Sequence, residues 1–269
     1  MLPQHTNAQL RFLQQEKNAA AYVIPFIEEG SPLKPGMRVL EIGCGEGGVL
    51  LPFLERGCYC VGVDLTSSRI ALAGQFLGDY LHSGQLRLIN KDIYLVDFSH
   101  EFEKSFDLII LKDAIEHIPE QERLMNYLKP LLKPGGFIYL GFPPWYMPHG
   151  GHQQICQNRI LSMFPYVHLF PARIYGSILR RFKEDQDTVQ ALLEIKQTGI
   201  SIERFESILK RQHYVIICKR PYLLNPIYRF KFGWKPRVQS RFIARIPFLR
   251  NFVTTCIYYL VKQQDVALG

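Results

Sequence analysis

The sequence predicts an α/β protein: a doubly wound, mostly parallel seven-stranded sheet with a helical lid inserted after the fifth strand. Three observations predict it. Buried-type strands alternate with helical stretches over residues 33–142, a glycine-rich turn joins the first strand to the element that follows it, and the alternation then stops for nearly sixty residues before resuming at Ser201.

In chain order, Leu10, Leu13, Ala20, Val23, Ile24 and Ile27 have near-helical spacing and predict one or two N-terminal helices, kinked or interrupted at Pro25. "MRVLEIGC" reads as a buried strand, and "GEGGVLLPFLERG" as a glycine turn leading into a helix that stops at Gly57. "CYCVGVDL" is a second strand, residues 67–82 a helix and "LRLINKD" a third strand. "FDLIILKD" and "GGFIYLGF" continue the series, separated by the helix "EQERLMNYLKPLL" and the turn "KPGG". Helical stretches near residues 157–163, 173–182 and 188–196 make up the lid. Ser201 caps a further helix, "VIICKRPYLL" is a strand, and "NPIYRFKFG" is read as the last one. "QSRFIARIPFLRNFVTTCIYYLVKQ" is read as a broken C-terminal helix pair. The implied organisation is a cofactor core over residues 1–142, the lid over 143–200, and sheet elements with basic helices over 201–269 belonging to the same domain as the core.

Composition narrows the class. Hydrophobic residues at 47% and charged residues at 21% are ordinary globular usage and argue against a disordered or fibrous chain. The apolar run "FVTTCIYYLV" falls far short of the roughly 20 residues a membrane-spanning helix needs. The first residues lack the basic start and continuous apolar stretch of a secretory signal, so a cytoplasmic location is expected. Six cysteines without paired C-x-x-C spacing are expected to be reduced and structural. The net charge of +8 is concentrated: residues 207–264 hold twelve Lys or Arg and no Asp or Glu, whereas residues 1–206 have a net charge of −3. Such a block can face phosphates, an anionic membrane or an acidic small molecule, or be a solvated face whose stems cover apolar surface.

In "VLEIGCGEGG" a strand delivers four glycines to a helix start, where the backbone can approach a ligand closely. Gly43-x-Gly45-x-x-Gly48 fits the dinucleotide pattern, while Glu41-x-Gly43-x-Gly45-x-Gly47 fits an S-adenosylmethionine pattern. Asp64, at the end of the second strand, suits a ribose in either cofactor. Asp92 and Ile93, ending the third, suit an adenine amino group and face. With "FDLIILKDAIEHIPE" and "LLKPGGFIYL", the run over residues 33–142, about 40% of the chain, resembles the class I S-adenosylmethionine-dependent methyltransferases, particularly their small-molecule group. The resemblance implies that Glu41, Gly43, Gly45 and Gly47 flank the methionine end of S-adenosyl-L-methionine. Asp64 would then hold the ribose, Asp92 and Ile93 the adenine, and Leu65 would also touch the cofactor.

Asp113, Glu116 and His117 leave the fourth strand where open α/β sheets bind ligands. Their spacing is similar to the acidic-x-x-Glu-His segment of ubiquinone-type O-methyltransferases and small-RNA 2′-O-methyltransferases, in which such residues can hold a divalent ion. In other members of the family Glu caps the following helix and His packs beneath the cofactor, so both roles stay open here. In "GFPPWYMPHGGHQQ", after the fifth strand, the Pro-Pro-aromatic element resembles that of adenine-modifying enzymes. There it follows the fourth strand behind an Asp or Asn, whereas Phe142 precedes it here, which disfavours a nucleobase acceptor. His152 is a candidate general base aimed by the Gly150-Gly151 turn, or else a fastener of the loop. Trp145, Tyr146 and Met147 line the acceptor pocket or pack the lid.

The expected activity is methyl transfer to an oxygen of a small molecule or a lipid- or glycan-linked acceptor. Competing readings are an RNA methyltransferase, a nicotinamide-dependent enzyme and a non-catalytic S-adenosylmethionine-binding protein. Nucleic acid is disfavoured because no RNA- or DNA-binding module is recognisable. Peripheral membrane contact through the basic C-terminal segment matches its alternation of aromatics and arginines.

Overall fold

A computed structural model describes residues 7–95 and 100–264. The strands are β1 (Arg38–Ile42), β2 (Tyr59–Val63), β3 (Leu86–Ile89), β4 (Phe106–Lys112), β5 (Leu132–Phe142), β6 (Tyr214–Leu224), β7 (Arg237–Val238) and β8 (Cys256–Gln263). They form one sheet in the order β3-β2-β1-β4-β5-β8-β6-β7. β1 to β5 pair in parallel. β8 is antiparallel to both β5 and β6, so β6 runs in the same direction as β5. The eighth strand beyond the seven predicted is β7, a two-residue edge paired with the end of β6.

Helices cover both faces. On one lie α1 (Ala8–Asn18) and its continuation α2 (Ile24–Glu28), with α3 (Leu51–Leu54) after the glycine turn and α4 (Ser67–Phe76) and α5 (Gly78–His82) between β2 and β3. On the other, α6 (Gln121–Leu128) packs Leu124, Met125 and Leu128 against the sheet. The lid consists of α7 (Arg159–Met163), α8 (Ala172–Arg181) and α9 (Gln186–Thr198), with a small core of its own that includes Leu161, Tyr175, Leu179 and Leu192. α10 (Ile202–Arg211) returns to the second face through Phe205, Ile208 and Leu209, capped as predicted by the Ser201 hydroxyl, which accepts the Arg204 N–H at 3.1 Å.

Pro25 does not break the N-terminal run. A π-helical turn, Ala19–Val23, precedes it, in which the Ile24 N–H reaches the Ala19 carbonyl five residues back. The wider turn accommodates the proline's missing donor and bulky ring.

Two C-terminal expectations are corrected. "NPIYRFKFG" is not a strand but contains α11 (Tyr228–Phe232), in which the Tyr228 and Phe232 rings meet at 5.5 Å across one turn and Gly233 closes the helix at φ 75°. "CIYYLVKQ" is strand β8 rather than helix, leaving only α12 (Arg241–Ala244) and α13 (Leu249–Phe252) of the proposed pair. Its run is apolar on both faces because it is buried on both. Tyr258 packs among Phe26, Tyr139 and Tyr222 on one side, and Tyr259 against Phe142 and Phe205 on the other. All six cysteines are free, and among the described residues no helix is long and apolar enough to cross a membrane.

A buried polar knot fastens the C-terminal segment to α10. The fully buried Asn251 accepts the Ile202 N–H at 2.9 Å and donates to Glu203 at 2.6 Å, while Arg250 pairs with both Glu203 and Glu206. Replacing Asn251→Leu leaves that N–H unsatisfied and should cost about 1–3 kcal/mol of stability. The check is a shift of the urea midpoint at unchanged m-value.

Candidate active site

Strand order reverses between β1 and β4, and the carboxyl ends of these neighbours frame the site. Beyond Ile42, the Gly43 and Cys44 N–H groups both bond the Val63 carbonyl, at 2.8 and 3.1 Å, which pins the turn to β2. Asp64 completes the brace: its two carboxylate oxygens accept the N–H groups of Gly45 (2.9 Å) and Thr66 (2.8 Å). Gly45 sits at φ 54° with open space where a side chain would stand, so bare backbone faces outward. At Gly48 a Cβ would lie 2.4 Å from the Phe12 carbonyl oxygen, so α1 can seat directly on the turn only because this residue is glycine. Arg11, also on α1, binds Glu46 through Nε at 3.0 Å.

A cavity of about 780 Å³ opens over this turn, within the roughly 300–1,000 Å³ of small-molecule sites. Of the residues singled out from sequence, Glu41, Gly43, Gly45, Asp113, His117 and His152 line it. Gly47, Asp64, Leu65, Asp92 and Ile93 do not. Gly47 packs against Leu77, Leu65 is exposed, Ile93 is buried, and Asp92 accepts the Tyr94 N–H at 2.9 Å. The four acidic and apolar residues at the ends of β2 and β3 thus flank the cavity on the β2 side rather than enclose it.

Charge at the base of the cavity is tightly arranged. Lys112 is buried and donates to Asp113 at 2.5 Å. Burial alone would lower the lysine pKa and raise that of the carboxyl, but their mutual attraction outweighs it and holds both in the charged form. Asp113 occupies the left-handed region at φ 51°, its N–H bonded to the Gly141 carbonyl at 2.7 Å, which ties the ends of β4 and β5 together. Glu41 has the opposite character. Burial pushes its carboxyl well above the usual range against the pull of Lys112, and its Oε2 is buried without a hydrogen-bond partner.

Glu116 is equally unsatisfied. Both carboxyl oxygens are buried without hydrogen-bond partners, Oε1 lying 3.9 Å from His117 Nε2, and burial, reinforced by Asp113, raises its pKa strongly. It therefore does not cap the next helix, where Glu120 occupies the cap position. Beside it the His117 and His152 rings meet edge to face at 4.8 Å, and donor atoms of Glu116, His117 and His152 all lie within 4.8 Å of one another. His152 Nε2 is buried without a partner, and burial, with His117 next, lowers the pKa to about 3. Such a ring is neutral near pH 7 and a weak proton acceptor, the state suited to ligating a cation. The buried Glu116 carboxyl and His152 Nε2, with the exposed His117 ring beside them, could hold a divalent ion, which would reverse the cost of burying the carboxylate.

The lid turn brings His152 here by a route the sequence did not indicate. His152 itself takes the left-handed conformation, φ 57°, whereas Gly150 and Gly151 serve close packing. A Cβ on Gly150 would lie 2.2 Å from the Trp145 carbonyl oxygen, and one on Gly151 2.2 Å from the His168 Cβ. His168 is the fastener: buried, it bridges Gln153 Oε1 at 3.0 Å and the Trp145 carbonyl at 2.7 Å. Of the aromatic stretch only Met147 lines the cavity. Trp145 packs on His168, and Tyr146 on Phe252. The Thr198 hydroxyl then ties the lid to the Glu116 carbonyl at 2.6 Å. Sequence reading missed the contributions of Arg11, Lys231 and Trp234 to the cavity wall. The last two lie in and just beyond α11, whose single helical turn is too short to show periodicity.

Comparison with known proteins agrees with this geometry. A family model described as "Methyltransferase domain" matches residues 13–181. A ubiquinone biosynthesis O-methyltransferase of Leptothrix cholodnii is 28% identical over 115 residues, covering 43% of this chain and 48% of that one. Phosphoethanolamine N-methyltransferase 2 of Caenorhabditis elegans is 30% identical over 118 residues, covering 44% of this chain and 26% of that one. These matches span about half the length of the first relative and a quarter of the second. Among solved structures, a geranyl diphosphate C-methyltransferase from Streptomyces coelicolor, in complex with Mg2+, geranyl diphosphate and S-adenosyl-L-homocysteine, shares the fold. Its TM-score is 0.55 at 13% identity, covering 95% of this chain and 78% of that one.

The packing of the lid turn makes a direct prediction. Gly151→Ala should destabilise the protein by about 1–3 kcal/mol, because the added methyl meets a fully buried histidine with no room to retreat. Thermal unfolding measures it.

Proposed function

Because the chain belongs to the methyltransferase domain family, we propose that it binds S-adenosylmethionine and transfers its methyl group to an oxygen of a small-molecule acceptor, with a divalent cation held by Glu116, His117 and His152. The observation that carries the reading is the convergence of these three residues in a cavity that Glu41 and Gly45 also line. The relatives include O- and N-methyltransferases, so family alone does not select the atom. The donor set favours oxygen, since a metal cation acidifies a bound hydroxyl.

The chemistry supplied on binding S-adenosylmethionine is a methyl activated by its sulfonium centre. The chain positions and shields. Gly45 lets its backbone approach the methionine end, and Glu41 Oε2, left without an internal partner, is the acceptor for the positive charge arriving there. Asp64 holds the turn to β2, and the Lys112–Asp113 pair fixes the floor of the cavity. Pro143, Met147 and Ile155 from the lid cover the reacting end and exclude water. The cavity wall would hold an acceptor close to the methyl, a positioning effect that provides much of the acceleration in such displacements.

Two measurements test this. Calorimetry with S-adenosylhomocysteine should show binding, and Glu41→Gln should weaken it about 10–100-fold, the worth of one charge-assisted hydrogen bond. Binding of the nicotinamide dinucleotide instead would overturn the cofactor assignment. For the cation, Mn2+ titration of chelator-treated protein should show one site that His152→Ala or Glu116→Ala weakens by at least about 100-fold, the most that changes outside the ligand set produce. Wild-type protein that takes up no Mn2+ and keeps full methyl incorporation after chelation would remove the metal from the proposal.

A further inference from the structure

Residues 225–255 leave the sheet at the carboxyl end of β6 and return at the start of β8, so the whole excursion lies at the end of the sheet where the cavity opens. Phe232 and Trp234 from this excursion and Met163 from the lid line the cavity yet are exposed, Trp234 by 55% and Met163 by 67%, which places them at its mouth. Beyond Trp234 the chain continues to expose bulky apolar side chains: Val238, Phe242 at 75%, Phe248 at 66% and Leu249.

Cations are interleaved with them. Lys235, Arg237, Arg241 and Arg245 are exposed, and among the described residues none has an ion-pair partner. Four other basic residues of the C-terminal block are engaged: Arg211 with Glu122, Lys219 with Glu206, Arg220 with Glu29 and Arg250 with Glu203. The four unpaired cations thus follow Trp234 in the chain, within the excursion whose first part lines the cavity.

We propose that this face docks on an anionic lipid bilayer, with Trp234, Phe242 and Phe248 dipping into the headgroup region and the four free cations against the phosphates, so that the cavity mouth opens onto the membrane. Aromatic and aliphatic side chains interleaved with Lys and Arg are what an interface of this kind buries. A nucleic acid would satisfy the cations but leave Leu249, Val238 and Met163 without apolar contact. A second copy docked through the same patch would bring its cations against their counterparts. Of the broken helix pair expected from sequence only the short α12 and α13 form, and the membrane face is built from them and the adjoining loops, held by the Asn251 knot. As a consequence that rests on the methyltransferase reading, the acceptor is an amphiphile drawn from the bilayer with its apolar chain passing the Met163 and Trp234 rim.

The test uses the intact protein and vesicles of phosphatidylcholine with or without phosphatidylglycerol. Flotation should occur with the anionic vesicles and fall by at least about 20-fold for the Lys235→Glu, Arg237→Glu, Arg241→Glu, Arg245→Glu variant, since each cation near such a surface is worth roughly fivefold. Unchanged S-adenosylhomocysteine binding by that variant confirms its fold and keeps the outcome separate from that of the methyltransferase reading. Lipid brominated on its acyl chains should quench the tryptophan emission, with the quenching lost in Trp234→Phe. Absence of flotation, equal flotation of wild type and variant, or tight RNA or protein binding through these cations in place of vesicle binding would each overturn the proposal.

Discussion

The parallel pairing of β1 with β4 is the constraint on which the site depends. The Glu41 to Ile110 register sets the end of β1 beside the end of β4, so the glycine turn and the Lys112–Asp113 pair face one cavity. A buried lysine is tolerable only because its partner is the next residue, held in place by a left-handed backbone and by the Gly141 carbonyl. Moving this register by one residue would turn Glu41 and Lys112 to opposite faces and dissolve the charge arrangement.

From that point the molecule is built outward in layers of decreasing local necessity. The turn is braced by the Asp64 carboxylate from behind and by α1 from above, the latter through a backbone contact at Gly48 that leaves no room for a larger residue. The lid has its own small core and reaches the parent sheet mainly through polar tethers, such as the hydrogen bond from Thr198 to Glu116 and that from Gln121 to the Thr198 carbonyl at 2.5 Å. Hydrogen bonds of this kind link the lid to the segment that carries Glu116 and His117. The unsatisfied carboxyl and imidazole groups they bring together make the cavity polar where a reacting group would sit and apolar where an acceptor would enter.

Much of the fold was legible in the sequence because the first five strands and their helices are local patterns: buried runs, glycine turns and capping residues separated by short connections. The reading failed where local pattern is ambiguous. "IYYLV" is apolar on both faces, a pattern shared by a doubly buried strand and a core helix, and only its place between β5 and β6 made it a strand. "YRFKF" alternates like an edge strand, yet Gly233 and the packing of its rings close it into a helical turn.

What the sequence by itself determined about this protein was the parallel core of its first five strands and the glycine turn that lines the cavity, because those patterns lie within elements contiguous in the chain. Only the tertiary structure decided the rest of the site. His152 lies 35 residues beyond His117, and no local spacing could say that their rings meet, that His168 rather than His152 fastens the loop, or that Lys231 and Trp234 close the cavity. The reason is physical: the lid and the C-terminal excursion find their places through long-range hydrogen bonds and buried contacts, and neither is encoded in the periodicity of a single segment.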